Sequence, residues 1–253
     1  MIREAPLAKP SRLAAIGRKL FRWRGWLPVP IIALVAVVAA RAADGPRLAG
    51  EIDWALKVLG LALSISGESL RFWTLGLVPE GTSGQGYALE AAALNTRGPY
   101  AYVRNPLYLG NFGICAGLLL VANAAWAYAI GLSFFFAQYF FIVRAEENFL
   151  RQKYGARFEE YASKVPRWLP RLTPAYPGPL RSQIDWGRAI SKEHNPIAAW
   201  ASGMILLLGW QAYRRGALTP GLLAALVSLQ GAVLASFAAA KAFKRGWLRR
   251  GRG

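Results

Sequence analysis

A chain of 253 residues, 55% of them hydrophobic and with a mean hydropathy of +0.25, can build one soluble domain or a small membrane protein. The apolar residues run together in long stretches, which decides for the membrane; the net charge of +18 lies mostly between those stretches, where topology and anionic lipid explain it better than nucleic acid does. One cysteine, Cys115, and one histidine, His194, exclude a disulfide framework and argue against a zinc or iron site of the usual ligand types.

Residues 1–26 form a basic arm. Within it Leu13, Ile16, Leu20 and Trp23 share one helical face while Arg12, Arg18, Lys19 and Arg22 lie elsewhere, which predicts an interfacial helix on an anionic leaflet. A secretory signal competes with this reading, but no obvious cleavage site follows and further spans do, so a retained anchor is expected. Residues 27–40 are the first predicted span, and Asp44-Gly45-Pro46 marks a turn. The second span, 54–77, contains Ser64, Ser66, Glu68 and Arg71. Glu68 and Arg71 are placed to pair on one face, either holding the bundle together or lining a site. A polar, glycine-rich loop over 79–96 is expected to carry a short helix at 87–94.

Residues 106–121 and 125–143 are the third and fourth spans. The turn at Asn123 between them is so short that they must form an antiparallel hairpin. That geometry brings Arg104 and Asn105 to the same membrane face as Arg144, Glu146 and Glu147. Beyond it, Leu150, Tyr154, Phe158, Tyr161 and Val165 recur at helical spacing, which predicts an amphipathic surface helix with a weak point at Gly155. Five prolines (Pro166, Pro170, Pro174, Pro177 and Pro179) then demand an extended segment able to lap over the hairpin mouth. A short surface helix is expected over 184–193, with His194 in a surface loop. Asn195-Pro196 opens a fifth span at 196–210, and a sixth follows at 218–243 before a basic tail.

The expected fold is therefore all-α: a multi-span helical integral membrane protein of about six transmembrane helices plus amphipathic surface helices. It divides into the arm (1–26), a core of four spans and a cytoplasmic cap (27–180), and an extension of two spans and the tail (181–253). With both termini in the cytoplasm, most of the 31 Lys and Arg residues face inward, as the positive-inside rule requires.

The stretch 96–111, TRGPYAYVRNPLYLGN, holds the chemistry. Asn105-Pro106 is a strong helix start, since Asn can cap free N–H groups and Pro loses no hydrogen bond there. The positive helix end, with Arg97 and Arg104 beside it, suits a carboxylate or phosphate. An ordinary capped membrane helix flanked by positive-inside arginines satisfies the same spacing.

GPYAYVRNPLYLG resembles the membrane methyltransferase group that includes isoprenylcysteine carboxyl methyltransferases and phospholipid N-methyltransferases. Its signature is Gly-Pro-Tyr, Val-Arg-His-Pro and Tyr-x-Gly, with Asn105 here where His is usual. A second block, RAEENFLRQKYGARFEEYASKVPRWLP (144–170), resembles the family's other signature. The resemblance implies S-adenosylmethionine as cofactor and a lipid or lipid-like acceptor; the charge distribution puts the site at the cytoplasmic face, and a bacterial inner-membrane location is expected. No nucleic acid or metal partner is expected, and the oligomeric state is open. By the same resemblance Gly98, Tyr100, Arg104, Asn105, Pro106, Tyr108, Gly110, Glu146 and Glu147 bind the cofactor. Arg144, Glu147 and Arg167 serve catalysis, orienting a carboxylate acceptor or taking a proton from an amine. Because Asn cannot titrate, Asn105 leaves the acceptor class open. Two other readings stand beside this one. Lys153-Tyr154-Gly155 and Val165-Pro166-Arg167 are similar to the tail of nicotinamide-dependent sterol reductases, and the change at Asn105 fits a scaffold that has lost catalysis.

Overall fold

The computed structural model describes residues 12–23, 28–41, 50–78, 91–176 and 184–250. Its regular elements are all helical: α1 (Arg12–Trp23), α2 (Pro28–Arg41), α3 (Gly50–Leu77), a 3-10 turn (Gly98–Ala101), α4 (Pro106–Ala122), α5 (Ala125–Tyr154), α6 (Ala156–Lys164), α7 (Trp186–Arg214) and α8 (Pro220–Arg250). The Asp44-Gly45-Pro46 turn, most of the 79–96 loop, Pro177 and Pro179 lie outside the described residues. Of the expected 87–94 helix, residues 91–94 are described and have no helical structure.

α4 and α5 form the expected hairpin. Asn123 closes it in the left-handed region (φ 50°) and donates its side-chain amide to Asp53 at the start of α3 (2.8 Å). Asp53 also accepts from Lys57 (2.8 Å) and from Arg215 at the end of α7 (2.6 Å), so one carboxylate ties three helices at the end of the bundle remote from Glu147. α3 therefore runs antiparallel to α4. These two make the most extensive helix contact, through Gly60 and Gly67 on α3 and Gly110, Gly113 and Gly117 on α4. Small residues allow such close backbone approach, because no side chain stands between the two helices.

Among the described residues two helices are long and apolar enough to cross a membrane: α5 over its full length and α8 over Pro220–Gly246. α4 is apolar but spans 17 residues, about 26 Å at the helical rise, and the 14-residue α2 is shorter still. α3 and α7 have the length, but Glu51, Asp53, Lys57, Glu68 and Arg71 interrupt the first, and Arg188, Lys192 and Glu193 the second. In place of the expected six spans, the described residues form an all-helical bundle with two helices long and apolar enough to cross a membrane.

Three local expectations change. α1 packs on α5 through Gly17, whose Cα side meets the Phe141 carbonyl, and through buried Phe21; Ile16 and Trp23 of the expected apolar face remain exposed. The 184–193 and 196–210 segments are one helix, α7, with Pro196 inside it. Glu193 and His194, just before the proline, are both held by the bundle, which keeps the chain helical across a residue that forfeits one hydrogen bond. His194 is accordingly buried rather than in a surface loop. Its Nδ1 lies 3.0 Å from the Ile190 carbonyl oxygen, and its ring stacks on Phe237 of α8 with centroids 5.8 Å apart.

Candidate active site at the mouth of the hairpin

The two signature blocks meet at the open end of α4 and α5. Helix α5 breaks at Gly155 (φ 52°) and the chain resumes as α6. Phe158, Tyr161 and Val165 of this amphipathic stretch are buried against Leu94, Ala175 and Tyr176, so its apolar face is covered by protein rather than laid on lipid. The proline-rich segment then laps back over the mouth. Pro166 O accepts from the Arg104 N–H (2.8 Å), Tyr102 O from the Arg171 N–H (2.9 Å) and Ala101 O from the Ala175 N–H (2.9 Å). The Tyr161 hydroxyl donates to the Tyr100 carbonyl (2.8 Å). Burial pushes the Tyr161 phenol well above its ordinary pKa, so it remains a neutral donor across the physiological range. Tyr161→Phe is expected to cost about 1 kcal/mol, the usual net worth of one such bond, read as a lower unfolding midpoint in detergent.

Asn105 departs from its expected part. Its backbone carbonyl does begin α4, accepting from the Tyr108 and Leu109 N–H groups (3.1 and 3.0 Å), and Pro106 occupies the first turn. Its side chain, however, makes no cap and instead donates Nδ2 to the Arg167 carbonyl (3.0 Å). The position usually held by His thus fastens the two blocks together.

Glu147 is the centre of the site. It is 4% exposed and accepts from Arg104 Nη1 (2.9 Å), Arg167 Nε (2.8 Å) and Arg167 Nη2 (2.5 Å). Arg167 grips it in the bidentate fork that guanidinium geometry favours. Two guanidinium groups thus share one carboxylate. Among the described residues, Arg104 Nε is buried with no hydrogen-bond partner.

The other expected site residues are distributed more widely. Burial, and then the Glu146 carboxylate, raise the Tyr100 pKa, which places Tyr100 and Glu146 in each other's field at the mouth. Gly98 makes the turn at φ 61°, and a Cβ there would press on Leu77 at the end of α3 (2.8 Å). Gly110 faces α3, where a Cβ would meet Arg71 Cγ at 2.6 Å. Tyr108 points into the bundle and packs on Tyr139 (centroids 4.8 Å). Arg144 is exposed, its guanidinium 4.6 Å from the Phe140 ring centroid, and does not join the Glu147 cluster.

A second polar cluster lies deeper. Arg71 does not bond Glu68 but reaches Glu193 on α7 (Nη2 to Oε1, 2.6 Å) and the Asn111 side-chain oxygen. Asn111 in turn donates to the Tyr139 hydroxyl (2.7 Å). Glu193 is fully buried and Glu68 is 7% exposed, and an oxygen of each lacks a hydrogen-bond partner among the described residues. Asn111 lies six residues along α4 from Asn105, and Tyr139 eight residues back along α5 from Glu147, which sets this cluster about 9 to 12 Å below the mouth. Glu193, Asn111 and Tyr139 escaped the sequence reading. The signals were present, an acid inside a long helix and an asparagine closing the first block, but their partners lie on other helices.

Comparison with known proteins places this geometry. Residues 55–157 match the family model described as phospholipid methyltransferase. The match holds α3 from its second turn, the Gly98–Ala101 turn, α4 and α5, and with them Arg71, Arg104 and Glu147; it ends before Arg167 and Glu193. The family resemblance read from the two blocks therefore stands over this segment. The chain is also 32% identical over 84 residues to the nickel-cobalt-cadmium resistance protein NccN of Alcaligenes xylosoxydans xylosoxydans, covering 33% of this chain and 39% of that protein. It is 29% identical over 117 residues to the cobalt-zinc-cadmium resistance protein CzcN of Cupriavidus metallidurans, covering 46% of this chain and 51% of that protein. The chain thus spans about half or less of the length of these curated relatives. No solved structure matches it. Among the described residues, no group of three or more His, Cys, Asp or Glu side chains is arranged to hold a metal ion.

Proposed function

We propose that this protein is an integral-membrane methyltransferase that uses S-adenosylmethionine and acts on a lipid or lipid-like acceptor at the cytoplasmic face. The observation that carries this reading is the Arg104–Glu147–Arg167 cluster, which joins the two signature blocks at the mouth of the hairpin. S-adenosylmethionine, when bound, supplies a methyl group already activated on a sulfonium.

The residues present fit that cofactor. The unpartnered Arg104 Nε suits its carboxylate, while Glu146 and Tyr100 offer oxygens to its ammonium and ribose hydroxyls. Both oxygens of Glu147 are engaged by arginine N–H groups, so Glu147 holds Arg104 and Arg167 in position. The chain's contribution to rate is then mainly alignment of the acceptor with the methyl group. The lapping segment 165–175 shields the mouth from water. On this reading the protein is multi-pass, with both termini in the cytoplasm of a bacterial inner membrane, and 27–180 is the methyltransferase core.

Titration of S-adenosylmethionine into the detergent-purified protein tests the proposal. Saturable binding is expected, weakened about tenfold or more in Arg104→Ala, as loss of one charge-assisted bond requires. Saturable NADPH binding, without binding of S-adenosylmethionine by the folded protein, would overturn the proposal in favour of a nicotinamide enzyme. Binding without methyl transfer to any total-lipid extract would overturn it in favour of a scaffold.

A further inference from the structure

We propose that the strap from Trp168 to Thr173, whose inner side covers the mouth, docks by its outer side on the bilayer surface. Leu169 and Leu172 enter the acyl boundary there, and Arg171 meets the phosphate of an anionic phospholipid. The inference rests on the integral-membrane part of the reading above and not on the cofactor. Leu169 is 81% exposed and Leu172 wholly so, while Trp168 beside them packs on the core of the bundle. Pro170 and Pro174 keep the segment extended and stiff, so the leucines have no helix or sheet of their own to bury them. A single exposed leucine carries no message; the depth at which these two are fixed does.

Three backbone bonds set that depth. Arg104 N–H to Pro166 O (2.8 Å), Arg171 N–H to Tyr102 O (2.9 Å) and Ala175 N–H to Ala101 O (2.9 Å) lay the strap beside residues 101–104. Apolar α4 starts at Pro106, so the strap lies at the level where that helix enters the hydrocarbon. Trp186 marks the same end of the bundle. It is exposed at the start of α7 and packs on Phe72 (centroids 6.0 Å). The Asp185 N–H beside it bonds the Gly76 carbonyl (2.9 Å), next to the Leu77 that backs the Gly98 turn. Tryptophan is a residue that membrane interfaces favour.

The charge suits an anionic surface. Residues 161–184 hold four basic residues, Lys164, Arg167, Arg171 and Arg181, and no acidic one. Arg167 is turned inward to Glu147, and Lys164 is paired with Glu160. Arg171, exposed between the two leucines, donates to the carbonyls of Lys164 (2.7 Å) and Thr173 (3.2 Å), which fixes its guanidinium without neutralising it. Apolar side chains in the acyl boundary with a cation at the phosphates is the pairing that holds basic amphipathic segments on membranes. The strap is then held from both sides, by lipid outside and by Glu147 through Arg167 inside, and the bilayer keeps the mouth covered. The surface contact expected of the amphipathic stretch after Glu147, whose apolar face protein covers, falls to the strap instead.

Cys115 is buried and is the chain's one cysteine, so a fluorophore can be attached singly through Leu172→Cys, Leu229→Cys or Gln152→Cys in the full protein, with the unsubstituted chain as the labelling blank. Each labelled protein is reconstituted into phosphatidylcholine vesicles with or without phosphatidylglycerol, then exposed to nitroxide-labelled lipid and to aqueous iodide. The label at position 172 is expected to lose most of its emission to the nitroxide lipid and to be shielded from iodide, more so with phosphatidylglycerol. Arg171→Gln should remove that dependence on phosphatidylglycerol. Leu229, exposed on α8, reports insertion and should respond to the lipid quencher alone; Gln152, exposed in the last turn of α5, should respond to iodide alone. A label at position 172 that behaves like the one at 152, while the label at 229 is quenched by lipid, would overturn the inference and leave the membrane reading standing. Equal lipid quenching with and without phosphatidylglycerol would overturn the assignment of an anionic lipid. Shielding from both quenchers, with self-quenching between labelled copies, would overturn it in favour of a contact between two copies of the chain. Escape of the label at 229 from the nitroxide lipid would sink the membrane reading itself, and the inference with it.

Discussion

Glu147→Ala is expected to abolish S-adenosylmethionine binding and to destabilise the protein by about 3 to 5 kcal/mol, the cost of removing one partner from a buried ion pair. The substitution strands two guanidinium groups, Arg104 and Arg167, which share a carboxylate 4% exposed. Graded losses should follow from the geometry. Arg167 holds Glu147 through two hydrogen bonds and Arg104 through one, so Arg167→Ala should cost more stability than Arg104→Ala. Arg167→Lys should not rescue, because an ammonium cannot reproduce the fork. In a double-mutant cycle the Glu147→Ala and Arg167→Ala losses should fall well short of additive, since either change alone already breaks the same contact. Unfolding midpoints in detergent, paired with cofactor titrations, read both effects. Full S-adenosylmethionine affinity in a folded Glu147→Ala protein would mean that the cluster is only a brace between the two blocks.

Much of this site was legible because it depends on connectivity. A turn as short as that at Asn123 leaves two apolar helices no arrangement other than antiparallel, so Arg104 and Glu147 had to meet. The prolines after Val165 forbade helix and sheet alike, and the segment they extend does cover the mouth. What was not legible depends on which face of a helix finds which neighbour. Glu68 and Arg71 sit three residues apart, and spacing alone pairs them; the structure gives Arg71 to Glu193, more than a hundred residues away. The same limit hid the burial of His194, which follows from α8 folding back along α7. On α1, the face chosen by large apolar side chains lost to one built on Gly17, because a residue without a side chain lets the helix approach α5.

The contact between α3 and α4 yields the second large effect. A Cβ on Gly60 would lie 2.6 Å from the Gly117 carbonyl oxygen and 2.9 Å from Val121 Cγ2, and one on Gly67 would lie 2.5 Å from the Gly110 carbonyl oxygen. Backbone oxygens cannot rotate aside, so the helices must part. Gly60→Leu is expected to cost about 3 kcal/mol or more, at the upper end of the range for overpacked interiors. Activity should fall with it although Gly60 is remote from the mouth. α3 carries Arg71 into the deep cluster and Leu77 against the Gly98 turn, so displacing it disturbs both. Gly203→Ala on α7 is the matched control. Its Cβ meets nothing within 4 Å, and a helical glycine replaced by alanine where there is room should gain about 0.4 to 1 kcal/mol. Opposite signs for the two substitutions, measured side by side as unfolding midpoints in one detergent, would tie the stability of the bundle to the α3 and α4 seam. A neutral Gly60→Leu would show that α3 can slide without disturbing the bundle, and would remove the link from that seam to the two polar clusters.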